Sequence, residues 1–319
     1  MHEFELIKNY FQKLSKKLPS SLNLNDDVFF DKKRELVISV DTYIEGNHFI
    51  DFKMPDLVIK KIIRSSISDL ICKGVQPKYY FISGSGNKSS FSKINLKKIS
   101  KSLNDEQNKY KIYLSGGDTV FSDKLSFTIT SVGFAKKIIL RNHAKINDDI
   151  YVTGNIGDSY LGLLILKNKL KVSKLHKDFF VNKYFKPDIQ TKLAVHLKKF
   201  AHTSIDVSDG LLTDLEKLIN VQKLSYKVDL EKIPVSKYFK EVLRKKNLLK
   251  VQHISNGDDY QILFTASKNK RRIIELIASN FKIKITKIGI IQNTDKQSSI
   301  IDHKGSKISL KNKGYFHNF

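Results

Sequence analysis

Aspartates recur in this chain where carboxylates can be aimed into a cleft. Asp26-Asp27, Asp41, Asp118, Asp158, Asp206 and Asp209 fall where strand-like runs stop or helical patterns begin, several beside glycine or a small hydroxyl residue. Ligand sites in α/β proteins favour such strand ends. Aspartate is also a good turn former and helix N-cap, and for any one position alone that plainer reading is the commoner one. Asp69 differs. It lies inside a helical pattern, three and four residues after Ser66 and Ser65, so the three polar groups share a face; a solvated face accounts for the pattern equally well. Other chemistries are excluded. The nine histidines form no H-x-x-x-H pair, no G-x-S-x-G elbow occurs, and no G-x-G-x-x-G follows a strand. Gly84-Ser85-Gly86-Asn87-Lys88-Ser89 lacks phosphate-loop spacing and reads as a loop with no helix clearly following.

The elements that must position these residues alternate between strand and helix. Phe4 to Leu18 has helical spacing. Glu35 to Val40 reads as a strand ending at Asp41, and Pro55 to Gly74 as a helix whose stripe is Ile59, Ile63, Ile67 and Leu70. Tyr79 to Ser83, Ile112 to Leu114 and Leu125 to Val132 read as strands. After a basic stretch without periodicity, Ile150 to Thr153 starts a strand, Leu161 to Leu170 a helix, and Ser204 to Val207 a strand that turns at Asp209-Gly210 into a helix, Leu211 to Ile219. Tyr260 to Thr265 and Lys282 to Ile291 are further strands, with a helix from Asn269 to Ser279 between them. The class is α/β or α+β, with domains at 1–140 and 141–319.

Composition narrows the function. Of 57 basic residues only six are arginine, against 32 acids, giving a net charge of +25. Direct base readout favours the rigid arginine fork, and the lysines are spread along the whole chain. Drift toward lysine therefore explains the charge better than specific nucleic-acid binding. The single Cys72 excludes a disulfide framework and a multi-thiolate zinc site. No apolar run spans a bilayer and the N-terminus does not read as a signal peptide, so the expectation is a cytoplasmic protein.

Seven ordered blocks carry a family resemblance. They are Ser39-Val40-Asp41-Thr42 with Glu45-Gly46-Asn47-His48-Phe49; Ser68-Asp69-Leu70; Gly116-Gly117-Asp118-Thr119; Tyr151-Val152-Thr153-Gly154 with Gly157-Asp158-Ser159; Ile205 to Leu211; Gly257-Asp258-Asp259-Tyr260; and Lys313-Gly314-Tyr315. In order and spacing the chain resembles thiamine-monophosphate kinases, within the aminoimidazole-ribonucleotide-synthetase-like ATP-binding superfamily. Asn25 stands where that family usually has glycine, and Asp258 where it has glutamate. Asparagine tolerates positive φ, so the turn before Asp26 is expected to persist. Related selenophosphate synthetases and hydrogenase-maturation proteins use a reactive N-terminal cysteine or a cysteine-bearing tail; this chain has neither.

The resemblance implies two α/β domains, with the N-terminal domains of two chains pairing into a β-barrel that spans a homodimer. It implies transfer of the γ-phosphate of ATP to thiamine monophosphate, with magnesium and no general base. Asp27, Asp41, Asp69, Asp118 and Asp206 then resemble magnesium ligands, assisted by Ser39 and the backbone of Val40, with Asp209 holding a further ion. Gly117, Asp118, Arg141, Ser208 and Tyr110 resemble ATP contacts. His48, Asp258 and Tyr315 resemble contacts to thiamine monophosphate, where an aromatic ring and an acid suit a cationic thiazolium and its aminopyrimidine.

Overall fold

The computed structural model describes residues 3–309 and 314–315; Lys313 of the closing motif lies outside them. The first half of the chain supplies β1 (Phe29–Asp31), β2 (Leu36–Ile44), β3 (Pro77–Gly86), β4 (Tyr113–Phe121) and β5 (Ser126–Phe134), in the order β1-β2-β5-β3-β4. All neighbours are antiparallel except β3 and β4. That parallel pair needs a crossover, which the helix Lys93–Tyr110 provides. The sheet is open, with β1 and β4 at its edges.

One helix covers this sheet. Pro55 opens the helix Pro55–Cys72 at a position where its missing N–H costs nothing. Val58, Ile59, Ile62, Ile63, Ile67 and Leu70 are buried along it. At about 1.5–3 kcal/mol for each fully buried aliphatic side chain, this stripe anchors the helix strongly. Its end is set by Gly74, whose φ of +75° carries the left-handed turn while Val75 N–H returns to Leu70 O at 2.9 Å.

The second half supplies β6 (Asp149–Thr153), β7 (Ala201–Asp206), β8 (Leu224–Asp229), β9 (Ile262–Ala266), β10 (Ile285–Asn293) and β11 (Ser299–Ile301), ordered β11-β8-β10-β6-β9-β7. The two halves are sewn together. Ile71 and Cys72 pack with Leu193, Phe200 and Phe264, and Tyr184 and Phe185 from the helix Lys174–Phe185 enter the core of the first half. The helix Pro55–Cys72 therefore lies between the two sheets.

Several sequence expectations change. Strands β2 and β4 run through Asp41 and Asp118, so neither residue ends a strand. Gly84 and Gly86 belong to β3, and a helix does follow, at Lys93. That helix escaped the apolar pattern because its buried face is partly polar: Ile99, Ser102, Glu106 and Tyr110. Glu106 receives a two-point bond from Arg64, at 2.8 and 2.9 Å. Asn25 has φ −118°; the left-handed backbone falls on Leu22, Asn23 and Leu24. Helices at Lys174–Phe185, Thr191–Leu197 and Lys237–Lys246 and the strands β1, β8 and β11 were not anticipated.

Candidate active site

A cleft of about 540 Å³ opens along the seam between the two sheets. Four separate elements place carboxylates in its wall: Asp27 from the loop before β1, Asp41 from mid-β2, Asp69 from the last turn and a half of the helix Pro55–Cys72, and Asp206 from the end of β7. Asp209 follows in the turn that leads to the helix Leu211–Leu218. Ser65 and Asp69 both line the cleft, so the polar face of that helix is a site wall and not a solvated surface. Ser66 instead bonds Ser131 Oγ beneath it, at 2.9 Å.

The innermost acids disturb one another. Burial, and then the charge of Asp206, push the Asp41 carboxyl up to about 7. Burial raises Asp69 well above the usual range, with Asp41 and Asp206 adding to it. Burial also raises Asp206, while a bond from Ser68 and the charges of Lys73 and Arg141 pull it back. Asp41 keeps hydroxyl donors, Tyr43 Oη at 3.2 Å and Ser66, which only partly offset this. These are carboxylates whose negative charge the protein leaves largely uncompensated.

The outer acids are compensated. Lys73, wholly buried, reaches from the end of its helix to Asp26 at 2.7 Å and Asp27 at 2.9 Å, and gives a third bond to Ser204 O at 2.8 Å. Arg141 bonds Asp27 through Nε at 3.1 Å, and its backbone N–H bonds Asp26 at 2.9 Å. Lys217 pairs with Asp209 and, at 3.3 Å, with Asp214. The cleft is thus graded from cation-paired acids at one end to crowded acids at its centre that form no ion pair among the described residues.

His48, Asp258 and Tyr315 line the same cleft, as do Arg141, Ser208 and Val40. His48 sits in the tight turn after β2, where its Nδ1 accepts the N–H of Ile44 at 3.1 Å; in the neutral ring this leaves the proton on Nε2. Tyr315 is held by its own N–H on Asp209 O at 2.9 Å. Glycine is required before it, since a Cβ at Gly314 would lie 2.1 Å from Thr213 Oγ1.

Four of the predicted residues lie elsewhere in this chain. Ser39 is buried below the cleft and bonds Ser66 O at 3.4 Å. Tyr110 is packed in the core of the first half, under Arg64. Gly117 and Asp118 are exposed on the edge strand β4. Thr42, Thr128, Ser83 and Asp118 form one cross-strand row. Asp118 therefore stands three strand spacings, roughly 14 Å, from Thr42 and on the opposite face from Asp41. Sequence reasoning missed Lys73, Lys217 and Tyr43. In a chain with this many lysines nothing in the local pattern marks the buried ones.

Comparison with known proteins gives one consistent answer. Residues 25–135 match the model of the AIR synthase related protein, N-terminal domain. The thiamine-monophosphate kinase of Buchnera aphidicola subsp. Acyrthosiphon pisum (strain APS) is 34% identical over 99% of this chain and 98% of its own length. The enzyme of that name from Escherichia coli (strain K12) is 30% identical over 99% and 98%. The solved structure of AaThiL complexed with AMPPCP and TMP superposes with a TM-score of 0.85 at 25% identity, covering 99% of this chain and 97% of that one.

Proposed function

The chain belongs to the thiamine-monophosphate kinase family, and on that premise we propose how its cleft performs the reaction: ATP and thiamine monophosphate give ADP and thiamine diphosphate by direct in-line transfer. The observation that carries this reading is the convergence of Asp41, Asp69 and Asp206, from three elements, on one cleft, where burial raises all three, and repulsion adds to it at Asp41 and Asp69, despite the nearby charges of Lys73 and Arg141.

A phosphate monoester is mostly a dianion at neutral pH, with a second pKa of about 6, and needs no general base. The obstacle is electrostatic. Two like unit charges about 4 Å apart cost roughly 4 kcal/mol at an effective dielectric of 20, and several such pairs meet here. The donor set fits magnesium: oxygen only, central in the cleft and short of counter-charge. Among the described residues no three such side chains form a finished cage. That suits an ion which commonly keeps waters and takes one or two carboxylates plus substrate phosphates. Bound there, magnesium would offset phosphate repulsion and hold the line of attack. Asp41, Asp69 and Asp206 would hold it together with the substrate phosphates, and Asp27, the backbone of Val40 and Asp209 would assist.

Arg141 and Ser208 bind the nucleotide phosphates, Arg141 while its guanidinium is held by Asp27. His48, Asp258 and Tyr315 hold the thiamine half and exclude water around it. Asp118 and Gly117 reach a cleft only in an assembly. The face of the first sheet that carries Asp118 also exposes Val40, Phe81, Val120 and Phe134. Such a patch, running across the sheet to the edge strand β4, is the expected mark of a partner surface. In our reading two copies pair there, their sheets closing a barrel, and each donates Asp118 to the cleft of the other. Each copy comprises domains 1–140 and 141–319, and the ATP-consuming reaction fits the cytoplasm.

The test is direct. Purified protein with ATP and magnesium should convert thiamine monophosphate, but not free thiamine, to the diphosphate by chromatography. Product no greater than in an enzyme-free control overturns the reading.

A further inference from the structure

Lys61 sits midway along the helix Pro55–Cys72 and is 1% exposed. It lies behind the cleft wall. Its Nζ is 2.7 Å from Asp258 Oδ1 and 3.9 Å from the centre of the Tyr184 ring. Taking an ammonium out of water is costly, and an apolar side chain of similar shape in such a place is commonly neutral or stabilising. Asp258 is not stranded without it, because its side chain is 26% exposed and water can solvate it. Stability therefore does not explain the pair.

Geometry does. Tyr260 Oη donates to the same oxygen, Asp258 Oδ1, at 3.0 Å. Two donors on Oδ1 fix the carboxylate plane and leave Oδ2 without a protein partner among the described residues, in a side chain that lines the cleft. The backbone is held as firmly. Asp258 and Tyr260 adopt φ of +66° and +51°, and their N–H groups bond Ser208 O and Val207 O, both at 2.8 Å. A Cβ at Gly257 would fall 1.6 Å from Ser208 O, so only glycine allows this approach. Aspartate has a shorter reach than glutamate, and this frame sets where that short side chain ends.

We infer that Lys61 is a positioning residue for substrate recognition: with Tyr260 it clamps Asp258 so that Oδ2 is offered as a fixed acceptor to the amino-bearing, cationic half of thiamine monophosphate. The inference rests on the kinase reading above. Lys61 acts through Asp258, and its effect concerns the organic half of the substrate, not its phosphate or the nucleotide.

Calorimetric titration with thiamine monophosphate, and separately with free thiamine, reads binding whether or not turnover is seen. Lys61→Met should weaken both ligands by a similar factor, about tenfold or more, which is the size expected for one lost charge-assisted bond. ATP affinity should stay within about threefold, and the thermal midpoint should not fall. Asp258→Asn should weaken the same two ligands, and the double variant should be no worse than the more damaging single one. Additive losses, unchanged thiamine affinity, or an equal loss for ATP would each overturn the proposal. Should Lys61→Met fail to fold, Tyr260→Phe removes the second donor while keeping the ring. It should weaken both ligands in the same proportion, and unchanged affinities there would also overturn it. Absence of turnover in the wild-type protein would count against the kinase reading, whereas these titrations bear on Lys61 itself.

Discussion

Ser68 Oγ donates to Asp206 Oδ2 across 2.5 Å, tying the helix Pro55–Cys72 to the last residue of β7. This bond joins the two halves of the molecule at the floor of the cleft. It also stabilises the charged form of an acid that burial otherwise pushes toward protonation. Ser68→Ala should raise the pKa of Asp206 further. The acidic limb of the pH–rate profile should then move to higher pH, with a stability loss of about 1–3 kcal/mol. An unmoved limb in steady-state assays across pH would refute the coupling.

Asp41→Asn tests the metal assignment apart from turnover. The wild-type fold should gain thermal stability on adding magnesium, since a ligand bound to the native state alone stabilises by mass action. The variant should lose that gain, and its kcat/KM should fall by about 100-fold or more. In magnesium-free buffer it should be no less stable than wild type, because the ionised Asp41 is itself disfavoured by burial and by Asp206. A magnesium shift equal to that of wild type, read by differential scanning calorimetry, would remove Asp41 from the ligand set.

Asp158 gives a pH signature away from the reaction. Burial raises it to about 6, although Ser236 Oγ bonds it at 2.7 Å. A carboxyl whose folded pKa lies above its unfolded value contributes stability that is present below pH 3.8 and lost as pH rises through about 6. Asp158→Asn should therefore be relatively more stable than wild type above pH 6 than at pH 4. The difference is on the order of 2–3 kcal/mol at most, since one pKa unit is worth about 1.4. Parallel stability curves in urea across that range would contradict it.

Dimer pairing through β4 predicts complementation. In a mixture of Asp41→Asn and Asp118→Asn chains, each hybrid dimer would hold one cleft with both residues intact. Random pairing should restore about a quarter of wild-type activity from two nearly inactive proteins. Val120→Asp on the same face should yield monomers by sedimentation and prevent the rescue. No recovery after mixing and subunit exchange would show that Asp118 does not act across the pair.

Part of the candidate site was legible in the chain. Asp41, Asp206 and Asp209 stand beside strand-like runs and turns, a local property that marks them as candidates, whereas Asp69 and Asp258 were marked only by the motif resemblance; all five line the cleft. The helix Leu211–Leu218 and the buried stripe of Pro55–Cys72 were legible for the same reason, as periodicity is written in consecutive residues. The helix Lys93–Tyr110 was not, because Glu106 becomes an inward-facing residue only when Arg64, 42 positions earlier, meets it.

Tertiary structure alone decided which charges are balanced. Lys73 and Lys61 look like any other lysine until folding buries them beside Asp26, Asp27 and Asp258, while Asp41 and Asp69 form no ion pair among the described residues. It also set Asp118 apart from Asp41 by three strands and one sheet face. Residue identity is local, but desolvation and Coulomb energy depend on distances between segments remote in sequence, and only the packed chain defines those distances.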